Sequence, residues 1–444
     1  MTVLTIVLTL LCFVLMFFVD REYKLAILFV GTMFLTLVVL PFKGITAMMA
    51  LTFGFILSEI PDYELHWRRL RRSVVLPYIA LVAMAFILAV VTSPHLHNIS
   101  NLGYYALSEV MVKQFALVYG FLALRKGRCF QPLITVSFYA LILMTLIGGA
   151  NYISGSSIFV DQLSGDLIDE HDYLREERFR VQATFFNPFD YGYMCVLLAI
   201  LHMYGYLQRM ESTSMLAVAQ ACCLFGVLTC NCRTILFCYG VCALVFAIAM
   251  QRERKRKAII FISALITVAA LVLIIPPVRK IVFSVLSIFD TSSIVTGSSL
   301  GMRLLQLTTV ISYISGPYLL FGRGVHFFEL DLGWNNGSAL AADANLYGLE
   351  GIYLSMLLER GVLGFALYLA MIALVIVFIC RFRRLGRKLF SLGLTVFVLY
   401  TLFSFMTGEL LSATPSFYIL GYVMANQTRR KHFVESKRRK ECPA

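Results

Sequence analysis

The chain has 444 residues, of which 59% are hydrophobic and 14% are charged, whereas charged residues make up about a quarter of a soluble protein. This composition excludes a soluble enzyme, a secreted disulfide scaffold and a disordered chain. The formal net charge of +13 would also suit a nucleic-acid-binding protein, but the positions of the basic residues along the chain indicate a different partner.

Apolar runs recur along the chain, most of them about 15–20 residues long, which is close to the length that crosses a bilayer as a helix. The runs lack the period-2 alternation of membrane β-strands, so we predict helices. The sequence therefore predicts an all-α polytopic membrane protein with about 12–13 transmembrane helices, and the run at 44–58 is short for a span. The predicted spans are 2–18, 24–41, 44–58, 74–93, 105–124, 131–149, 187–206, 213–229, 233–250, 258–275, 361–380, 389–406 and 410–426.

The basic residues predict an orientation. Most of the 38 Lys and Arg residues lie in alternate connections between spans, whereas the connection 94–104 carries no charge. Connections rich in Lys and Arg stay on the cytoplasmic side of a membrane, so we predict an extracytoplasmic N-terminus and a cytoplasmic C-terminus. The segment 2–18 lacks a basic n-region and a small-residue cleavage site, so we interpret it as a retained helix. The basic surplus then faces anionic membrane lipids, and no nucleic-acid partner is expected.

This topology divides the chain into blocks of helices and two long extracytoplasmic loops. No connection contains a P-loop or a dinucleotide fingerprint, so ATP-driven transport by this chain alone is not expected. No spacing of Cys, His or acidic residues indicates a metal site, and we expect neither a metal nor another cofactor. The parts are N-terminal transmembrane helices (1–149), an extracytoplasmic loop (150–186), central transmembrane helices (187–275), a large extracytoplasmic loop with short helices (276–360), C-terminal transmembrane helices (361–426) and a basic cytoplasmic tail (427–444).

Two arginines lie where spans begin on the predicted extracytoplasmic side. Arg180 leads into an aromatic stretch and Asn187-Pro188, and proline suits the first turn of a helix. From there, its guanidinium can point at an anion near the membrane surface. Arg233 stands between two hydrophobic runs. Either it snorkels to the head groups, or it is held at the mouth of the bundle for a phosphate-bearing ligand, since charges near membrane depth are costly and often functional.

The large loop contains further polar residues that are candidates for a functional site. Arg303 opens an apolar stretch with helical spacing, which we interpret as an interfacial helix packed on the membrane domain. Arg323 stands between two glycines, which predicts a flexible turn with a cation at its tip. Asp343 and Asn345 precede a helix that runs towards Glu359. Asp343 is either the N-cap of that helix or a general base that takes a proton from a sugar hydroxyl.

Glu109 and Lys113 stand four residues apart inside the predicted span 105–124. Residues at this spacing share one face of a helix, so their charges can neutralise each other. We favour a structural ion pair over a proton relay.

Four segments occur in an order that resembles the bacterial O-antigen polymerase and O-antigen ligase superfamily. The resemblance covers roughly 180–380, with compatible hydropathy on either side. Members of that superfamily carry an Arg before an aromatic–Asn–Pro span start, an Arg at a later span start and an Arg that opens the large loop. The segments are Arg180 followed by FFNPFDYGYMCVLLAI, LTCNCRTILF, the pair GMRLLQL and GPYLLFGRGVHFF, and ADANLYGLEGIYLSMLLERGVLGFALYL.

The resemblance implies a glycosyltransferase that joins polyprenyl-diphosphate-linked glycans on the outer face of the bacterial inner membrane. Guanidiniums suit the diphosphate because they bind phosphate oxygens in bidentate, charge-assisted pairs. We therefore predict that Arg180, Arg233 and Arg303 bind the diphosphate and that Asp343 is the base, in a metal-independent transfer. The predicted substrate-binding residues are Asn187, Arg323, Asn345 and Glu359.

Two alternatives to a polymerase stay open. A ligase would transfer finished glycan to a lipid or protein acceptor, but the His-Asn pair that ligases carry before the E-x-G-x-x-G helix is replaced here by Asp343-Ala344-Asn345. That replacement favours a polymerase, with a chain-length regulator and a flippase as further partners. The second alternative is a transporter or flippase, which would bind near the midplane, often in repeated halves. The sequence shows no internal repeat.

Overall fold

The computed structural model describes a helical protein. Two strands of two residues each, Leu174–Arg175 (β1) and Arg178–Phe179 (β2), pair antiparallel in the loop predicted at 150–186. The described residues are 2–35, 38, 40, 45–71, 73–123, 130–157, 174–175, 178–185, 187–250, 300–327, 331–332, 346, 351–381, 383, 386–406 and 413–426.

Most helices coincide with the predicted apolar runs. A π-helix, Ala106–Gln114, lies between α6 and α7, and short 3₁₀ turns cover Ile60–Asp62 and Pro94–His97. The α-helices are α1 (Thr2–Phe18), α2 (Arg21–Phe34), α3 (Ala47–Glu59), α4 (Tyr63–Arg71), α5 (Val75–Thr92), α6 (Ile99–Tyr105), α7 (Ala116–Leu122), α8 (Phe130–Ser154), α9 (Pro188–Leu207), α10 (Thr213–Thr229), α11 (Arg233–Met250), α12 (Leu300–Tyr313), α13 (Tyr318–Phe321), α14 (Ile352–Arg381), α15 (Arg387–Met406) and α16 (414–426).

Four helices in the described part of the chain, α5, α8, α14 and α15, are long and apolar enough to cross a membrane. The exposure of large apolar side chains supports the same conclusion. On α1, for example, Leu4 is 67% exposed and Phe18 is 82% exposed. Soluble monomers rarely expose apolar patches of more than a few hundred Å², so these helices indicate a multi-pass membrane protein.

The helices depart from the predicted spans at three places. The run 24–41 is helical only to Phe34, and 105–124 is divided among α6, the π-helix and α7. The last loop helix and the span predicted at 361–380 form one element, α14, which begins nine residues earlier than the predicted span and bends at Gly361. The span predicted at 258–275 lies outside the described residues.

The centre of the protein is α9, whose side chains are buried on every face from Tyr191 to Leu201. A helix that is apolar all round belongs in the core of a bundle. It packs against α8, α10, α11 and α15. The hydroxyls of Tyr193 and Ser416 hydrogen bond at 2.5 Å, and this contact fixes α16 against the same helix.

Two glycines let α7 and α16 approach closely. A side chain at Gly120 would overlap the carbonyl of Tyr418, and one at Gly421 would overlap the carbonyl of Leu117. Small residues at such crossings are typical of membrane helices, where close packing drives association.

A buried cluster of charges joins α2 to the turn between α3 and α4, on the predicted cytoplasmic side. Glu59, which is 6% exposed, accepts from Arg21 at 2.7 Å, from Lys24 at 2.9 Å and from His66 at 2.7 Å. Arg21 also pairs with Asp62. Burial raises the pKa of the Glu59 carboxyl. This effect is outweighed by the hydrogen bonds from His66 and Lys24 and by the charges of Lys24 and Arg21, so the pKa is lowered overall. The carboxylate therefore stabilises the fold in its ionised form.

We expect Glu59→Gln to destabilise the protein by about 3–5 kcal/mol, because removing one partner leaves buried cations uncompensated. Since folding lowers the pKa of Glu59, its stabilisation is complete above the ordinary pKa of a glutamate and is lost as the pH falls through the folded value. Thermal unfolding in detergent measures the effect. The control is Glu64→Gln, because Glu64 and Arg68 form an exposed pair of a kind worth about 0.5 kcal/mol or less. Equal melting temperatures would contradict the structural role of the cluster.

Candidate functional site

Four of the predicted cations lie half-buried at or near helix ends. They are Arg180, Arg233, Arg303 and Arg323. The predicted base Asp343 and its neighbour Asn345 lie outside the described residues. The four arginines, in contrast, lie in the described part of the chain.

Arg180 begins an extended segment, residues 180–185, that is tied to three helices. The Val181 amide donates to the Thr229 carbonyl at the end of α10 at 3.1 Å. The Thr184 hydroxyl donates to the Met33 carbonyl of α2, and the Asn151 side chain of α8 donates to the Ala183 carbonyl at 3.4 Å. The side chains of Val181, Ala183 and Thr184 are fully buried. The segment that carries Arg180 is thus fixed in place.

The guanidinium of Arg180 lies where two helices begin. Its Nη2 donates to the Cys232 thiol at 3.1 Å, and its carbon lies 5.1 Å from the ring centre of Phe189. Phe189 belongs to the first turn of α9, and Cys232 directly precedes Arg233, the first residue of α11. The structure therefore brings Arg180 close to the start of α11, although 53 positions separate it from Arg233 in the sequence.

Electrostatics make this junction favourable for an anion. The N-terminus of a helix carries about half a positive charge, and its first amides bind phosphates readily. Here α9 and α11 both begin beside the Arg180 guanidinium, and Arg233 adds a second full charge. This region, which we call the α9–α11 junction, therefore combines two arginines with two helix starts, and Asp190 in the first turn of α9 is its acidic residue.

Asn187, a predicted substrate-binding residue, caps α9. Its side-chain oxygen accepts from the Asp190 amide at 2.9 Å, and Pro188 follows at the first helical position. This is the usual arrangement of a helix start, so the contact observed for Asn187 is structural.

Arg303 lies in the first turn of α12, as the sequence predicts for a residue that opens a helix. Its Nη1 donates to the Gln306 side chain at 2.9 Å, and Gln306 is fully buried. The helix packs on α14 through Val310 and Leu358, which are both fully buried. Arg303 therefore lies on α12, a helix that packs on α14, and not on either of the helices that begin at the α9–α11 junction.

The turn around Arg323 is fixed by hydrogen bonds, contrary to the flexible turn that its glycines predict. The Arg323 amide donates to the Leu358 carbonyl at 2.9 Å, and the Gly324 amide donates to the Glu359 carbonyl at 2.9 Å. The guanidinium donates from Nε to the Tyr313 carbonyl at 2.7 Å and lies 3.7 Å from the ring centre of Tyr318. Arg323 thus fastens the end of α12 to α13.

The bend in α14 explains why the turn docks there. Gly361 has a φ of +62°, which interrupts the helix. The carbonyls of Leu358 and Glu359, just before this bend, accept from the turn. Glu359, a predicted substrate-binding residue, is half-buried beside this bend.

Arg360, which is not among the residues predicted from the sequence, is 6% exposed inside the helix bundle. Its guanidinium lies 5.7 Å from the ring centre of Tyr105, and it lines a narrow cavity of about 50 Å³ together with Lys113 and Tyr400. Lys113 and Glu109 form the predicted ion pair at 2.5 Å, on the π-helix. The cavity can hold a few water molecules but not a sugar. The position of Arg360 next to the span predicted at 361–380 is a sequence signal of function, because a charge beside an apolar span is costly and often functional.

Comparison of the sequence with known protein families finds no matching family model, and comparison with curated proteins finds no significant match. Among the residues that the structure describes, no group of three or more His, Cys, Asp or Glu side chains is placed to hold a metal ion. The described polar residues that could serve a function therefore lie at the α9–α11 junction and at the bend in α14.

Proposed function

We propose that the protein is an integral membrane glycosyltransferase that polymerises polyprenyl-diphosphate-linked oligosaccharide repeat units on the outer face of the bacterial inner membrane. The chain would cross the membrane 12–13 times, with its N-terminus outside and its C-terminal tail in the cytoplasm. The observation that carries the proposal is the contact of Arg180 with Cys232, which places two arginines at the starts of α9 and α11.

The junction suits a diphosphate better than a single carboxylate. Two guanidiniums offer several donors in planar forks, and each fork matches two phosphate oxygens. The start of α11 adds the positive end of a helix dipole, whereas at the start of α9 Pro188 has no amide hydrogen and the Asp190 amide donates to Asn187. A polyprenyl diphosphate would keep its chain in the bilayer while its head group lies at this depth.

In the proposed reaction, a sugar hydroxyl of the acceptor attacks the anomeric carbon of the donor glycan. A new glycosidic C–O bond forms, the bond from that carbon to the diphosphate breaks, and the polyprenyl diphosphate leaves with the electron pair. Arg180 and Arg233 stabilise the charge that develops on the leaving group, which lowers the barrier because the interaction strengthens in the transition state. Asp343 accepts the hydroxyl proton, and Arg303 is a third candidate ligand of the diphosphate.

Reconstitution tests the proposal directly. The full-length protein in proteoliposomes, supplied with a polyprenyl-diphosphate-linked repeat unit, is expected to produce a ladder of glycans on the lipid. Deletion in cells should collapse the ladder to one repeat unit. Full-length polymer left on its carrier after deletion would instead indicate a ligase, and an intact ladder in the deletion strain would refute the proposal.

A flippase or transporter is the second candidate, and two interrupted helices favour it. Transporters bind their substrates near the midplane between discontinuous helices. Lys113 lies on the π-helix and Arg360 beside the bend in α14, and both line the buried cavity. In the same proteoliposomes, movement of the labelled repeat unit between leaflets without any growth in glycan length would favour transport.

A further inference from the structure

A long apolar groove lies between α1, α2 and α8, away from the cavity at Arg360. Its volume is about 520 Å³, which is within the range of about 300–1,000 Å³ for small-molecule sites. The groove is open along one side, and its lining is almost entirely apolar. The lining includes Leu8, Cys12, Val30, Phe34, Leu143 and Ile147.

The groove runs along the helices. On α8 its lining extends from Val136 to Ile147, a length of about 16 Å at 1.5 Å per residue. This is roughly half of the hydrocarbon core of a bilayer. Because α8 is one of the helices that can cross a membrane, the open side faces acyl chains, and a linear hydrocarbon can lie in the groove.

One end of the groove adjoins the segment that carries Arg180. Phe34 and Ile147 line that end. Their neighbours in the sequence hold the segment, since the Met33 carbonyl accepts from Thr184 and Gly148 packs against Val181. The end of the groove therefore adjoins Val181 and Thr184, which follow Arg180 by one and four positions in the sequence.

We propose that this groove holds the part of the donor's polyprenyl chain that lies nearest the diphosphate, with the diphosphate at the α9–α11 junction. This assignment rests on the proposed function and gives the location of the lipid part of its substrate. An apolar channel that leads to fixed cations complements a long hydrocarbon with an anionic head. Phospholipid acyl chains share the apolar part of this chemistry, so the experiment must separate the two lipids.

Photo-crosslinking of the full-length protein in lipid nanodiscs tests the assignment. The probe is a polyprenyl diphosphate with a diazirine on one of the isoprene units nearest the diphosphate, because the groove is only about 16 Å long, and the comparison probe is phosphatidylglycerol with a diazirine on its acyl chain. We expect the polyprenyl probe to label Tyr139 and Leu143, which line the groove, and unlabelled polyprenyl diphosphate to compete. Excess phosphatidylglycerol should not compete.

A matched pair of variants adds a second measurement. Leu143 lines the groove and is 51% exposed, whereas Leu146 is 66% exposed on the same helix and does not line it. Leu143→Trp should lower labelling by about tenfold, because the indole occupies the space of the chain. Leu146→Trp should leave labelling unchanged. If Leu143→Trp fails to fold, the crosslinking map of the wild type still shows whether the polyprenyl chain lies in the groove.

Several results would overturn the groove assignment: labels elsewhere, no labels, or labels that phosphatidylglycerol removes equally well. The polymerisation assay separates this failure from failure of the proposed function. Polymer formation with labels outside the groove refutes the groove alone. Competed labels inside the groove without any polymer support the groove and refute the polymerase.

Discussion

Gly322→Ala is expected to release the Arg323 turn from α14 and to abolish activity. Gly322 has a φ of +74°, and a side chain there would overlap the backbone of Glu359 and Arg360. With a ψ of −168°, Gly322 lies in a region of backbone conformation that is essentially restricted to glycine, and such strain costs another residue about 1–3 kcal/mol. The overlap adds to that cost because backbone atoms cannot move aside. The hydrogen bonds from Arg323 and Gly324 to α14 would then break. Thermal unfolding and the polymerisation assay measure the two effects.

Gly316→Ala is the matched control for this substitution. Gly316 has a φ of +70°, but nothing lies within 4 Å of the position that its Cβ would take. It therefore carries the cost of a positive φ without the overlap, and we expect a small drop in melting temperature with activity retained. Similar losses in the two variants would show that backbone strain, and not docking of the turn on α14, decides the outcome.

The positions of the helices were predictable because apolar length alone determines them. The runs at 2–18, 74–93 and 213–229 match α1, α5 and α10 to within a residue. The interruptions were not predictable, since they depend on contacts between distant residues. The bend at Gly361, for example, is occupied by a turn from residues 322–324, and hydropathy does not report such a partner.

The candidate site was predictable in its residue types but not in its arrangement. The sequence marks Arg180 and Arg233 as cations at span starts, but the contact of Arg180 with Cys232, which links it to the start of α11, is non-local. For Arg323, two flanking glycines indicate freedom, whereas the structure gives these glycines close backbone contacts. Arg360 lies beside glutamate and glycine in a helical motif, where it resembles a solvated residue.

Arg180→Lys is expected to lower kcat by about 10²–10³-fold, the loss typical for one donor to a developing anion. Lysine keeps the charge but lacks the planar fork that binds two oxygens and the face that lies over Phe189. Arg233→Lys should have an effect of similar size. The measurement is the initial rate of glycan extension at saturating repeat unit, so that loss of substrate affinity does not mask loss of rate.

The double variant decides whether the two arginines act on one group. If both bind the same diphosphate, removing the first fork weakens what the second can contribute, so the combined loss should be smaller than the product of the single losses. Arg68→Lys is the control, because Arg68 is 75% exposed on the predicted cytoplasmic side and should keep the wild-type rate. Losses that multiply fully would place the two arginines on separate groups, and the α9–α11 junction would then not be a single diphosphate site.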